Sequence, residues 1–265
     1  MKKNFILLLA FALGVITVAE MIGFQAVMVG NIRVSILPLV FAVLIAMILA
    51  LPFLRKGILK SIYSKDNVAF SGKYLLYIML PLMARYGADV APRLREIISV
   101  GWVMLFQELG NVGTVVIGLP VAILLGLRRE AIGATLGLGR EGELAYISEK
   151  YTLNSAEGRG VLSLYLIGTL FGAIFFSFLA PIMLSLGFDY KALAMAAGVG
   201  SASMMTAATS ALVSLMPNEE STITAFAAAS QLLTSFLGTY TMVFVAIPLQ
   251  RFMYRVLTGG KKDEQ

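Results

Sequence analysis

Two carboxylates, Asp89 and Glu108, stand in long apolar surroundings, and the chemistry of the chain is to be sought around them. Arg85 precedes Asp89 by four residues, so on a helix the two share a face and can pair. A charge at the centre of a bilayer costs about 2.5 to 3.5 kcal/mol on insertion scales, and a pair is easier to keep there than either member alone. Asn111, one turn after Glu108, adds an amide oxygen to the carboxylate, a combination suited to a proton or a sodium ion. Gly198, Gly200, Ser201, Ser203 and Thr206 form a third group, of hydroxyls and backbone that a ligand can approach closely. Half-helix N-termini in such a stretch point amides at anions.

Each group has a plain structural alternative. Residues 87–95 would be a loop with its charges in water, Glu108 a helix-end residue at the interface, and the small residues a stripe for tight helix packing. Glu20 reads as interfacial.

The solvent around these residues is lipid. Of 265 residues, 58% are hydrophobic and 14% charged, against roughly 25% charged in soluble domains. Several runs reach the roughly 20 apolar residues that a helix needs to span a bilayer. The net charge of +6 does not suggest nucleic acid, because Lys and Arg cluster between the apolar runs, as the positive-inside rule describes. The chain has no Cys and no His, which excludes disulfides, metal sites built on those ligands and imidazole catalysis. No cofactor and no metal is expected. Gly137-Leu138-Gly139-Arg140-Glu141-Gly142 formally matches a dinucleotide fingerprint. No strand precedes it, so it reads as a flexible turn.

The elements that must position the candidate residues follow from the runs. A first, uncleaved helix over 4–22 and a turn at Gly23, Gly30 and Asn31 lead to a second helix over 34–54. Arg55, Lys56, Lys60, Lys65 and Lys73 follow it, and with Lys2 and Lys3 they place the N-terminus on the cytoplasmic side. The third stretch, 74–104, is expected to open near its centre at 85–93, where Gly87 and Pro92 disfavour helix. A fourth helix over 106–127 carries Glu108 and Asn111 and ends at Arg128-Arg129. Residues 130–160 read as a cytoplasmic connector with an interfacial amphipathic helix at 141–150. The fifth helix covers 161–186, the sixth stretch 191–216 breaks at 198–203, and 222–257 reads as one long helix.

The expected fold is an all-α transmembrane bundle of about seven spans. Leading residues 1–33, a repeat over 34–129, the connector 130–160, a repeat over 161–257 and a tail 258–265 divide it. With seven spans the two triplets are oppositely oriented, each with a discontinuous middle helix, which is an inverted repeat. Seven spans also leave Arg251, Arg255, Lys261 and Lys262 outside, against the positive-inside tendency. Splitting the last run at Gly238 gives the alternative of eight.

Gln107-Glu108-Leu109-Gly110-Asn111, Arg129-Glu130-Ala131-Ile132-Gly133-Ala134-Thr135 with Gly139-Arg140-Glu141, and Gly198-Val199-Gly200-Ser201-Ala202-Ser203-Met204-Met205 resemble the hallmarks of one bacterial membrane family. It is the family catalogued as domain of unknown function 3100. The resemblance covers about residues 74–257 and carries no established activity. The layout is more loosely similar to glutamate symporters, keto-deoxygluconate permeases and cation/proton antiporters, which implies secondary transport by analogy. The expected function is a multi-pass inner-membrane secondary transporter of a small, anionic solute coupled to protons or sodium. Asp89, Glu108 and Asn111 would carry the ion, and Arg85, Gly198, Gly200, Ser201, Ser203 and Thr206 the solute. Partners are the lipid bilayer and the solute or ion, with homo-oligomerisation left open. The alternatives are a non-transporting subunit or scaffold, or a membrane-embedded enzyme. The enzyme ranks lowest, because only Asp89 and Glu108 would serve it.

Overall fold

In hydrocarbon every backbone N–H and C=O must be satisfied within the chain, and helices do this segment by segment. The computed structural model describes residues 2–29, 32–36, 38–137 and 140–259, and nearly all of them are helical. Helix α1 (Lys2–Ile22) stops at Gly23, whose φ of 71° is open to glycine without strain. Strands β1 (Gln25–Val29) and β2 (Ile32–Ile36) follow as an antiparallel hairpin, Gln25 opposite Ile36 and Val29 opposite Ile32. This corrects the expected simple turn, and it takes residues 34–36 from the expected second helix. Helix α2 (Pro38–Leu49) is therefore 12 residues long, about 18 Å.

After α3 (Ile58–Ile62) comes α4 (Lys65–Val90), which stays helical through Arg85, Gly87 and Asp89. The expected opening at 85–92 is thus corrected: the helix yields only at a 3-10 turn, Ala91–Arg93, with Pro92 inside it. Helices α5 (Leu94–Ser99) and α6 (Gly101–Asn111), a π-helical segment Thr114–Gly118 and α7 (Leu119–Leu124) continue the chain. The connector holds α8 (Glu130–Thr135) and α9 (Arg140–Lys150) and leads to α10 (Ala156–Ser185). It is not an interfacial appendage. Ala131, Leu136, Glu143 and Ile147 are fully buried, and α8 lies so close to α10 that a Cβ on Gly133 or Gly160 would meet the facing backbone.

Helices α11 (Tyr190–Gly198) and α12 (Ala202–Leu215) are separated by the break expected there, with Ser201 capping α12. They do not continue in line. The Tyr190 hydroxyl donates to Glu219 at 3.0 Å, whereas 26 residues of straight helix would separate the ends by about 39 Å. The segment is a hairpin with its tip at 199–201. A 3-10 turn, Pro217–Glu219, then opens one helical run: α13 (Glu220–Thr241), a π segment Met242–Ala246 and α14 (Ile247–Leu257), unbroken at Gly238.

The runs α5–α7 and α13–α14 lie side by side and point the same way. Arg93 meets Ser221, Gln107 meets Ser230, Glu108 meets Thr234, Val115 packs with Met242, and Leu119 clusters with Met253. The inverted relation expected between 34–129 and 161–257 would make these runs antiparallel, so it does not hold. The hairpin at 190–215 returns the chain to the end it came from and so reverses the direction of the elements after it. Both runs place a proline just after a π segment, Pro120 and Pro248. Proline lacks the N–H and crowds the carbonyl four residues back, and a π turn relieves both.

The main core lies where α4, α11, α12 and α13 meet, and its buried residues include Phe226 together with Ala194, Ala197, Ala208 and Ala227. Small residues let membrane helices approach closely. By length and composition, three helical stretches of the described residues can cross a membrane, Phe5–Ile22, Gly101–Leu124 and Pro217–Leu257; α10, bent by 53°, makes a fourth.

Candidate functional site

The site is assembled from two hairpins that enter the bundle from opposite ends. The first is α11–α12. Its α11 arm touches α13 at Gly198, where a Cβ would strike the Ala227 carbonyl and the Ser230 side chain. The Ser230 hydroxyl donates to the Met195 carbonyl at 2.7 Å and accepts from the Gln107 amide at 2.7 Å. The Gln231 amide NH2, turned towards the tip, lies 3.2 Å from the Gly198 carbonyl oxygen and 3.1 Å from that of Gly200. These two carbonyls are freed by the helix break, and Gln231 satisfies them.

The second hairpin is α8–α9. At its base Arg129 pairs with Glu157 at 2.8 Å and Arg159 with Glu130 at 2.9 Å. Glu157 is buried, and its Oε1 takes this bond. Glu130 is held below the usual carboxylate range, first by its own backbone N–H and then by Arg159. Towards the tip Gly137 packs on Thr114, and Gly142 faces Thr239 and Met242. Gln250 of α14 donates to the Ile132 carbonyl at 2.9 Å and the Thr135 hydroxyl at 3.1 Å, fixing α8. Residues 138 and 139 of the formal dinucleotide match lie outside the described residues.

Along α13 the first tip is held at Gln231 and the second at Thr239, eight residues or about 12 Å apart. Between them lies Glu108, only 4% exposed. Its Oε1 accepts from the Thr234 hydroxyl and its Oε2 from the Asn111 amide at 2.9 Å. Both donors are uncharged, so they orient the carboxylate without neutralising it. A proton or a small cation would do that, and an ionised carboxylate buried in lipid is costly without one.

The structure therefore brings Glu108 and Asn111 together and sets Gly198, Gly200, Ser201 and Ser203 at the neighbouring tip. The Ser201 and Ser203 hydroxyls lie 3.0 Å apart. Thr206 is exposed and donates to the Ala202 carbonyl of its own helix at 2.8 Å, away from this network. Arg85 and Asp89 do pair at 2.9 Å, but at the end of α4, with the Arg85 side chain 72% exposed. They stand apart from Glu108, next to the turn where Lys191 meets Glu96 at 2.5 Å. That bond holds the Glu96 carboxyl below, and the Lys191 amine above, its ordinary value. Ser230, Gln231 and Thr234 join the site without belonging to any of the three sequence groups. The signal in the sequence is Ser230-Gln231 and Thr234-Ser235, two polar pairs in the middle of α13, between the apolar runs 225–229 and 236–237.

The family described as "Protein of unknown function (DUF3100)" matches residues 17–256. The chain belongs to that family. The match extends the resemblance of the Gln107–Asn111 and Gly198–Met205 motifs over nearly the whole DUF3100 chain. No curated protein and no solved structure matches it.

Proposed function

We propose that the protein is a secondary transporter of a small, anionic solute, moved with protons or sodium, in which Glu108 carries the coupling ion. One observation carries the reading: a buried carboxylate held by Asn111 and Thr234 between the tips of two oppositely directed hairpins. Irregular backbone at membrane depth persists where it lines a site, and buried charge in lipid persists mainly on ion and substrate pathways. The α12 N-terminus and the Ser201 and Ser203 hydroxyls suit the anion.

In this reading α1, the return through β2 and α2 together, α4, α5–α7, α10 and α13–α14 are the passages across an inner membrane, and both hairpins dip in and return. The inverted relation is then carried by hairpin 130–150 with α10 against hairpin 190–215 with α13–α14. Arg55, Lys56, Arg128, Arg129, Arg159, Arg251 and Arg255 all fall at one end, which is cytoplasmic with both termini. The Arg251 bond to the Tyr146 hydroxyl, 2.8 Å, and the Arg159 bond to Glu130 support a shared end. This removes the conflict of the seven-span reading. The test is uptake of a panel of small anions into proteoliposomes under imposed proton and sodium gradients. Accumulation that depends on one gradient and is lost in Glu108→Gln supports the reading; no accumulation of any solute under either gradient favours a non-transporting subunit.

A further inference from the structure

At the start of the chain, α1, α2 and α3 line an open groove of about 520 Å³. Phe11, Gly14, Val15, Ile45, Leu49 and Ile62 are among its walls, and all its lining side chains are apolar. Gly14 gives the groove its width, since a Cβ there would meet nothing within 4 Å. In a bilayer no water enters such a space, and left empty it would cost its walls their dispersion contacts. A hydrocarbon chain would restore those contacts.

The rim says which hydrocarbon. Phe11 and Tyr63 meet edge to face at 5.7 Å near the α3 end. The Arg55 guanidinium sits over the Tyr63 ring at 5.7 Å, and its Nε donates to the Ala50 carbonyl at 2.5 Å. The Tyr63 hydroxyl donates to the Ala46 carbonyl at 2.6 Å, so ring and guanidinium are both fixed. Lys56 and Lys60 are exposed beside it, and no acidic residue occurs between Ala50 and Lys65. Basic clusters at a membrane face attract anionic lipid headgroups, each residue strengthening binding by roughly fivefold.

We infer that the groove holds one acyl chain of an anionic phospholipid, with the lipid phosphate on Arg55, Lys56 and Lys60. Arg55 offers its fork to the phosphate oxygens, as guanidinium does wherever planar anions are bound. The inference does not depend on transport.

The test uses the full chain, purified in neutral detergent, with lipid retention read by native mass spectrometry and stability by thermal melting. Phosphatidylglycerol is expected to be retained over phosphatidylcholine of the same chain length and to raise the melting temperature, while inorganic phosphate does neither. The triple variant Arg55→Ala, Lys56→Ala, Lys60→Ala is expected to lose that preference by about tenfold or more. Gly14→Leu, which fills the groove and favours helix, is expected to lose both lipids without unfolding. Equal retention of the two lipids, an unchanged preference in the triple variant, or unchanged retention in Gly14→Leu overturns the proposal. So does a change of oligomeric state in Gly14→Leu, which would assign the groove to a second copy of the chain.

Discussion

Tyr190 and Glu219 are hydrogen-bonded at 3.0 Å across two helices and the break between them. That bond places the start of α11 and the end of α12 at the same end of the bundle. A segment that leaves and returns adds no crossing, and every later element then runs opposite to the direction that a crossing would give. The parallel course of α5–α7 and α13–α14 is the consequence.

The first prediction concerns the chain's two faces. A reporter fused after Gln265 that works only in the cytoplasm is expected to be active. In this Cys-free chain, single cysteines at Asp189 and Asn218 are expected to react together with an impermeant reagent added outside intact cells. Labelling of one and protection of the other would restore a crossing at 190–215.

Glycines of two kinds give the second prediction. Gly198 has no room for a Cβ against α13, whereas Gly87, in the last turn of α4, has nothing within 4 Å. Gly198→Ala is expected to cost about 1 to 3 kcal/mol through overpacking, and Gly87→Ala to be neutral or to stabilise by up to about 1 kcal/mol through helix propensity. Unfolding in mild detergent with a graded denaturant separates them. Equal effects would mean that α11 is not packed on α13 at Gly198.

What the sequence made readable was local. Gly198, Gly200 and the Ser201 cap announce a helix break, and Arg85 and Asp89 announce a pair, because both are matters of spacing within a few residues. The fold-back at that break was not readable, since periodicity says nothing of the angle between successive helices. Only the shortness of the pieces, 9 and 14 residues, hinted that neither crosses alone. The burial of α8 and α9 was hidden for a different reason. Arg129, Glu130, Glu157 and Arg159 look like a solvated surface until they neutralise one another across 28 and 29 residues. The role of Thr234 is not local either, since its partner, Glu108, is 126 residues away.

The third prediction is a pH window for the outer tie between Glu96 and Lys191. Glu96 is lowered by the Lys191 bond, so its contribution is present above the ordinary carboxylate value and lost as pH falls through the lowered one. Lys191 is raised by the same bond, so its contribution is present below the ordinary amine value and lost as pH rises through the raised one. The melting temperature of the wild type is expected to exceed that of Glu96→Gln at neutral pH, with the gap closing in strong acid. The pair is partly exposed, so the gap should be small and should shrink with salt. A gap that persists unchanged in acid would show that the tie is not electrostatic.

The last prediction separates holding the Glu108 carboxylate from using it. Thr234→Val keeps the side chain's shape and removes the hydroxyl that donates to Oε1. Losing a hydrogen bond to a buried charged group costs about 1.5 to 3 kcal/mol, so this variant is expected to be less stable by that amount if Glu108 is ionised in the resting protein. Glu108→Gln keeps the volume, its oxygen can still accept from Asn111 and its NH2 can donate to the Thr234 hydroxyl, which accepts as well as donates; it cannot take up a proton or neutralise a cation, and it is expected to stay folded. Gradient-driven accumulation should vanish in it, while exchange of solute between the two sides survives, because the hairpin tip is untouched. Asp89→Asn serves as the contrast. Its partner Arg85 is largely exposed at the end of α4, with Asp89 itself half-buried; a pair open to water on one side contributes about 0 to 1 kcal/mol, and accumulation should be retained. If Glu108→Gln accumulates solute like the wild type while Asp89→Asn does not, the coupling ion travels by the outer pair, and the buried carboxylate is a packing element between the two tips.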